Sequence, residues 1–321
     1  LKHKSLSNLC LYLNQEVEFL QDNCKYKNMA SVTTASFDIF VFETLICLQK
    51  GLKIVLANED EQRIPQLLDK LISKNDVQLI QMTPSRMQIF LDNIKDMPNL
   101  SKLKYVTLAG EALPIKLRDE LVELGIKKIY NGYGPSETTV FSTFTDVTEK
   151  NKINIGVPLA NTQMYILDKS LKVVPIGVTG ELYISGDGVG KGYLNRGDLT
   201  KERYINNPYV EKSVMYKTGD ICKYDDNGQI YYLGRVDNQV KIRGLRIELE
   251  EIENKILEFP CIKKAKVIKQ TIGKREIIAA YYIASKRIRI TELRKYLYDR
   301  LPNYMVPSYF TALDEFLYTP N

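Results

Sequence analysis

The stretch "LKYVTLAGEALPIKLRDELVELGIKKIYNGYGPSETT", residues 103–139, decides the fold. "LKYVTLAG" (103–110) is an apolar, partly β-branched run closed by a glycine, which predicts a strand. "LPIKLRDELVELG" (113–125) spaces Leu and Ile at helical intervals and stops on Gly125, which predicts a helix. "IKKIY" (126–130) predicts a second strand. Strand, helix, strand in so short a span is a βαβ unit, whose two strands run parallel. The stretch ends in "NGYGPSETT" (131–139), which opens on the turn pairs Asn131-Gly132 and Gly134-Pro135. A carboxylate among hydroxyls follows. Open α/β sheets bind ligands just past the carboxyl ends of their strands, and this loop sits there.

The same alternation continues upstream. "LKIVLA" (52–57) and "VQLIQM" (77–82) predict strands; "QRIPQLLDKLISK" (62–74) and "PSRMQIFLDNI" (84–94) predict helices. Repeated alternation predicts a parallel sheet with helices packed on it. From about residue 160 the texture changes. "TQMYILD", "GELYISG", "VMYKTGD", "GQIYYLGR" and "QVKIRG" are short strands between Gly, Asn and Asp turns, a small and mainly antiparallel section. After "GRVD" (234–237) come the helical "IELEEIENKILEF" and "ITELRKYLYDRL" and the strand-like "KKAKVIKQ", "IIAAYYIA" and "PSYFTALD". The expected fold is α/β. A large N-terminal domain, partial here, carries the parallel sheet, its helices and the small β section. A small α+β C-terminal domain follows, with the boundary between 1–236 and 237–321.

Composition narrows the function. The chain has 321 residues, 44% of them apolar, enough for a sizeable core. Net charge is 45 − 39 = +6, with Lys and Arg spread along the chain, so no nucleic-acid partner is expected. The longest apolar stretch, "FDIFVFETLICL", is too short for a bilayer and carries Asp38 and Glu43, so no membrane association is expected. With no signal peptide, a cytoplasmic location is expected. Five cysteines, an odd number without a C-x-x-C pair, are expected to be buried free thiols in a reducing compartment. His3 is the single histidine, which excludes a two-histidine zinc helix and argues against a Ser-His-Asp or Cys-His hydrolase.

Several residues remain that suit a nucleoside triphosphate. The glycine-rich "SGDGVGKGYL" (185–194) fits neither phosphate-loop pattern and reads as a turn between strands. Tyr133 offers a ring to stack on a base, Ser136 a hydroxyl for a phosphate, and Glu137 a carboxylate for Mg2+, which prefers oxygen ligands shared with phosphate. Asp220 closes "YKTGD" (216–220) and can accept both hydroxyls of a ribose. Arg235 lies beside the domain junction. Singly these are a turn aromatic, a solvated acid or a surface ion pair; together they point to one ligand.

Seven stretches in order carry a resemblance: "SFDIFVFE", "LAGEAL", "NGYGPSETT", "GELYISGDGVGKGYL", "YKTGD", "GRVDNQVKIRGLRIELEEIE" and "LPNYMVP". They resemble the amino-acid adenylation domain of nonribosomal peptide synthetases, within the acyl-adenylate-forming, AMP-binding superfamily. The resemblance implies that an amino acid attacks the α-phosphate of ATP with Mg2+, releasing pyrophosphate and forming an aminoacyl-adenylate. A phosphopantetheine thiol on a partner carrier domain then takes the acyl group. A peptidyl carrier domain and a condensation domain are the expected partners, in the same parent polypeptide.

By resemblance, Tyr133 stacks on adenine beside Asn131 and the backbone of Gly110, Glu111 and Ala112. Ser136 stands where the family more often has Thr. Glu137 holds Mg2+, Asp220 and Arg235 hold the ribose, Asp237 is the hinge of the small domain, and Lys241 serves the thioester-forming orientation. Asp38 pairs with the substrate ammonium. Ile39, Phe42, Gln81, Thr107, Ala109, Gly132, Val140 and Phe141 form the rest of the pocket; with Gln81 and Thr107 polar among apolar residues, this implies a mostly apolar substrate side chain with or without one hydrogen-bonding group. The chain begins just past the family's Ser/Thr/Gly-rich triphosphate loop and stops before its terminal Gly-Lys, so residues 1–321 alone are expected to adenylate poorly. The alternatives are a D-alanine–carrier-protein ligase, an acyl-CoA ligase, or a non-catalytic remnant.

Overall fold

The computed structural model describes residues 1–21, 23–236, 239–242, 244–273 and 275–316. The chain divides into two compact units, Leu1–Val236 and Asp237–Asn321.

The first unit is built on strands β1 (Asn28–Ser31), β2 (Lys53–Leu56), β3 (Leu79–Met82), β4 (Tyr105–Ala109), β5 (Lys128–Tyr133) and β6 (Thr143–Asp146), in the order β2-β1-β3-β4-β5-β6. β1 to β5 pair in parallel, and β6 is antiparallel to β5. β3 and β4 are buried along their whole length because apolar layers cover both faces. Val106 and Leu108 face one layer, packed on Leu68, Met87, Phe90 and Leu121 from helices Pro65–Lys74, Pro84–Asp92 and Ile115–Glu123. Tyr105 and Ala109, on the alternate positions, face the other, with Leu13 of helix His3–Glu16, Phe19, Phe42 and Phe141.

Two elements of this sheet lie outside the sequence pattern. β1 sits between β2 and β3 yet has only the residues Asn-Met-Ala-Ser, with little β-branched character. The turn expected at Asn131-Gly132 is a correction: these residues continue β5. Asn131 pairs with Leu108 on one side and Thr145 on the other, and Gly132 with Ala109 and Phe144. Ladders on both flanks satisfy the backbone and override the local turn preference. The chain turns only at Gly134-Pro135.

The "FDIFVFETLICL" run is helical, with a π-helical segment Phe42–Ile46 between the α-helical turns Ile39–Val41 and Cys47–Gln49. The Thr44 hydroxyl donates to the Phe40 carbonyl at 2.6 Å, inside the widened turn.

β7 (Thr162–Leu167), β8 (Gly180–Gly186), β9 (Tyr204–Asn206), β10 (Val214–Tyr224) and β11 (Ile230–Arg235) form an antiparallel sheet ordered β11-β10-β8-β7, with β9 on β10. In the second unit, β12 (Val240–Ile242) and β13 (Leu245–Ile247) make a hairpin. β14 (Ile262–Ile272), β15 (Arg275–Ala284) and β16 (Tyr309–Ala312) make a sheet. Helices Leu249–Leu257 and Ile290–Tyr298 contribute Ile252, Ile256, Leu293 and Leu297 to its core.

The five cysteines are free; Cys10, Cys24, Cys47 and Cys222 are buried, whereas Cys261 is half-buried, which corrects the expectation for that thiol. Among the described residues, no helix is long and apolar enough to cross a membrane.

Candidate active site

β5 delivers Tyr133 to the antiparallel sheet. Its ring packs among Met164, Ile166, Leu182, Ile184 and Cys222. Its hydroxyl donates to Asp220 Oδ2 at 2.5 Å, and Arg235 Nη1 donates to Asp220 Oδ1 at 2.7 Å. Arg235 Nη2 also donates to the Thr218 carbonyl at 3.1 Å. The register of β10 against β8 shifts between Lys217 and Ile221, a span that includes Asp220, which pairs with Arg235 across β10 and β11. The Asp220 and Arg235 side chains are only 5% and 9% exposed, so the pair offsets two charges held away from water. Burial, then the Asp220 charge, pushes the Tyr133 hydroxyl well above the ordinary phenol value.

After Pro135 the chain makes a single turn, Ser136–Thr138, and then two residues in left-handed backbone, Thr139 at φ 69° and Val140 at φ 62°. Left-handed backbone is costly for β-branched residues and persists only where the surroundings enforce it. Here the glycine-rich stretch after β8 does so. Gly190 N–H donates to the Glu137 carbonyl at 2.8 Å, and the Thr139 hydroxyl donates to the Gly188 carbonyl at 2.7 Å. A Cβ on Gly188 would stand 2.7 Å from the Thr138 carbonyl oxygen, so only glycine permits this approach. The Tyr193 hydroxyl donates to Glu137 Oε1 at 2.5 Å and lies 3.3 Å from the Tyr216 hydroxyl. Burial, then the neighbouring Glu137 charge, raises the Tyr193 hydroxyl far above its ordinary value. Ser136 is exposed and Glu137 half-buried.

The residues expected to line the substrate pocket gather on the second apolar face of the parallel sheet. Gln81, Thr107, Ala109 and Gly132 come from the carboxyl-terminal halves of β3, β4 and β5, with Gln81 paired to Thr107 and Ala109 to Gly132. Phe42 meets Phe141 edge-on at 5.2 Å between ring centroids, and Ile39 and Val140 join the same cluster. A Cβ on Gly132 would lie 2.5 Å from the Phe141 ring, so that ring occupies the space a side chain there would take. Phe42 is 0% exposed, Gln81, Thr107 and Ala109 each 1%, Phe141 3% and Val140 4%. Asp38 precedes the helix, half-buried, and its carboxylate does not cap it.

Other expected residues are less concentrated. Gly110 follows β4 at φ 86°. Glu111 accepts from the Ser85 N–H and hydroxyl, both at 2.8 Å, at the N-terminus of helix Pro84–Asp92, where a carboxylate is favoured. Ala112 is exposed. The Asn131 amide donates to the Asn154 carbonyl at 2.9 Å. Lys241 lies on β12 of the second unit, paired with Arg246. Asp237 lies outside the described residues.

In the sequence Glu43 is legible only as a charge in an apolar run. It is fully buried, and its carboxylate accepts from the Ser31 hydroxyl (2.8 Å), the Val32 and Thr33 N–H groups (3.0 Å each) and the Thr33 hydroxyl (2.5 Å). A carboxylate inside an apolar helix was the signal. Tyr193, at the end of a glycine run, gave no such signal.

Among the described residues, no group of three or more His, Cys, Asp or Glu could hold a metal ion alone. Ser136 and Glu137, adjacent in the chain, offer oxygen donors. Oxygen donors are the kind that Mg2+ takes together with its waters and phosphates.

The family model described as AMP-binding enzyme matches residues 1–194, and the chain belongs to that family. It is 37% identical to gramicidin S synthase 2 of Brevibacillus brevis over 324 aligned positions, covering 100% of this chain and 7% of that protein. It is 40% identical to a dimodular nonribosomal peptide synthase of Bacillus subtilis (strain 168), covering 99% of this chain and 13% of that protein. The chain therefore spans a small part of the curated relatives it matches. Among solved structures, it resembles holo-AB3403, a four domain nonribosomal peptide synthetase bound to AMP and glycine. Identity is 35% and TM-score 0.66, with 98% of this chain and 23% of that one covered. IdnL1 shares the fold at TM-score 0.87 and 24% identity, with 98% and 65% covered.

Proposed function

We propose that the chain is part of an amino-acid adenylation domain of a nonribosomal peptide synthetase, with ATP and an amino acid as substrates. Leu1–Val236 is read as the C-terminal portion of the large AMP-binding domain, and residues 237–321 as its small, mobile domain. The observation that carries the reading is the meeting of Tyr133, Asp220 and Arg235. Tyr133 is 87 positions from Asp220, each of the three is assigned to the nucleoside by resemblance, and they join in one buried chain of hydrogen bonds.

In this reading Asp220 accepts the ribose hydroxyls while Arg235 and Tyr133 fix its carboxylate. Tyr133 lies against adenine, with Asn131 and Gly110 to Ala112 beside it. Ser136 donates to phosphate, and Glu137 holds Mg2+, which when bound offsets charge building on the phosphate oxygens. Asp38 binds the substrate ammonium, which orients the substrate carboxylate for attack on the α-phosphate as pyrophosphate leaves. Lys241 and the Asp237 hinge serve the later transfer to a carrier-domain phosphopantetheine. A carrier domain and a condensation domain in the same polypeptide are the partners, in the cytoplasm.

The substrate side chain is small and mostly apolar. A roomy pocket would leave its wall accessible to water, whereas Phe42, Gln81, Thr107, Ala109, Val140 and Phe141 are each at most 4% exposed.

The test is amino-acid-dependent ATP–pyrophosphate exchange by the full-length protein, with a panel of amino acids and fatty acids. Exchange with one amino acid, lost in Asp38→Ala, is the expected result. Exchange only with acids lacking an amino group would move the protein to the acyl-CoA ligase branch.

A further inference from the structure

The glycine-rich stretch 185–194 matches no phosphate-loop pattern, yet it is clamped on the turn that carries Glu137. Gly190 N–H donates to the Glu137 carbonyl, and the Thr139 hydroxyl donates to the Gly188 carbonyl. The stretch ends in Tyr193, whose hydroxyl reaches Glu137 Oε1 at 2.5 Å. Tyr193 is itself anchored. Its N–H donates to the Thr200 hydroxyl at 2.9 Å, and its ring stands edge-on to Tyr204 at 5.7 Å between centroids. Its hydroxyl lies 3.3 Å from that of Tyr216, on the strand that also carries Asp220.

We propose that Tyr193 is a positioning residue for Glu137: it fixes the rotation of the carboxylate, and hence the orientation in which that carboxylate meets Mg2+. Backbone bonds hold the turn, but a glutamate has three rotatable bonds beyond it. An unheld carboxylate would have to be ordered each time the metal bound. A short hydrogen bond from a half-buried phenol to a carboxylate is of the strong, charge-assisted kind and removes that freedom beforehand. Outer partners of metal-ligating side chains commonly tune metal affinity by about 10- to 100-fold.

The inference rests on Glu137 being the Mg2+ ligand, and the experiment separates the two. In the full-length protein, Glu137→Gln, Tyr193→Phe and Tyr216→Phe are compared by the Mg2+ concentration giving half-maximal exchange. Mn2+ binding in the presence of ATP, followed by electron paramagnetic resonance, is measured alongside. Tyr193→Phe keeps the ring and removes only the hydroxyl. It is expected to raise the half-saturating metal concentration about 10-fold and weaken Mn2+ binding in step, with the amino-acid KM unchanged. Tyr216→Phe, which leaves the Tyr193–Glu137 bond in place, is expected to shift both readouts less. A metal shift in Glu137→Gln without one in Tyr193→Phe would overturn the proposal. So would a Tyr193→Phe protein that lowers kcat with its metal response intact. No metal shift in Glu137→Gln would instead remove the ligand assignment on which the proposal stands.

Discussion

The Tyr133 hydroxyl and the Asp220 carboxylate stand 2.5 Å apart although 87 positions separate them in the chain. That bond ties the end of β5, on the parallel sheet, to β10, on the antiparallel one. Hydrogen bonds to charged groups contribute about 1.5–3 kcal/mol, so Tyr133→Phe is expected to weaken ATP binding by roughly 10- to 100-fold. It is also expected to speed amide exchange along β10. Calorimetry with ATP and hydrogen-exchange mass spectrometry read the two effects. Unchanged values in both would mean that the contact contributes nothing.

Arg235 donates in different directions to Asp220 Oδ1 and to the Thr218 carbonyl. Arg235→Ala strands a buried carboxylate, an effect of about 3–5 kcal/mol. Arg235→Lys restores the charge but not the planar fork, so it is expected to recover only part of the loss. The check is kcat/KM for ATP in the three proteins. Full activity in the lysine variant would show that charge alone matters.

The parallel sheet was legible because β2 to β5 alternate with helices whose apolar residues recur at helical spacing. β1 was not, because Asn28–Ser31 is a strand only by virtue of its neighbours on both sides. Asn131 and Gly132 illustrate the opposite failure: a strong local turn signal overruled by two ladders. The residues of "NGYGPSETT" assigned to a nucleotide follow from chemistry and resemblance. Tyr193 could not, because what selects it is its contact with Glu137 across 56 positions. Gly188 looked like a turn glycine, and its reason is the Thr138 carbonyl 2.7 Å from where a Cβ would stand.

Glu43 predicts a pH dependence of stability. Burial raises its pKa, against the opposing pull of hydrogen bonds from Thr33, Ser31 and Val32. A carboxyl raised in the folded state binds more protons folded than unfolded. Its stabilising effect is therefore fully present below the unfolded value, about 4.3, and is lost as pH rises through the folded pKa. Glu43→Gln fits the same geometry: the amide oxygen can take the three bonds now made to Oε2, and the amide nitrogen can donate to the Thr33 hydroxyl. Denaturation of the full-length protein across pH 4 to 8 (about) is the measurement. The wild-type curve is expected to fall relative to that of Glu43→Gln as pH rises above about 4.3. Parallel curves would show that Glu43 titrates alike in both states.

The closed wall around Phe141 predicts how specificity can be changed. Phe141 lies against Gly132 and meets Phe42 edge-on, so it fills the depth of the expected pocket. Phe141→Ala removes that ring and opens space at a stability cost of about 3–5 kcal/mol. In the full-length protein, exchange is expected to favour glycine and alanine over leucine and phenylalanine. Phe141→Ala is expected to reverse the order by raising kcat/KM for the larger pair while lowering it for the smaller. Gly132→Ala acts the other way. Its Cβ would press on the Phe141 ring at 2.5 Å, so it is expected to lower kcat/KM for every substrate and most for alanine, the larger of the favoured pair. A wild-type preference for phenylalanine or leucine would mean that the wall opens on binding, and then neither substitution should change the order of preference.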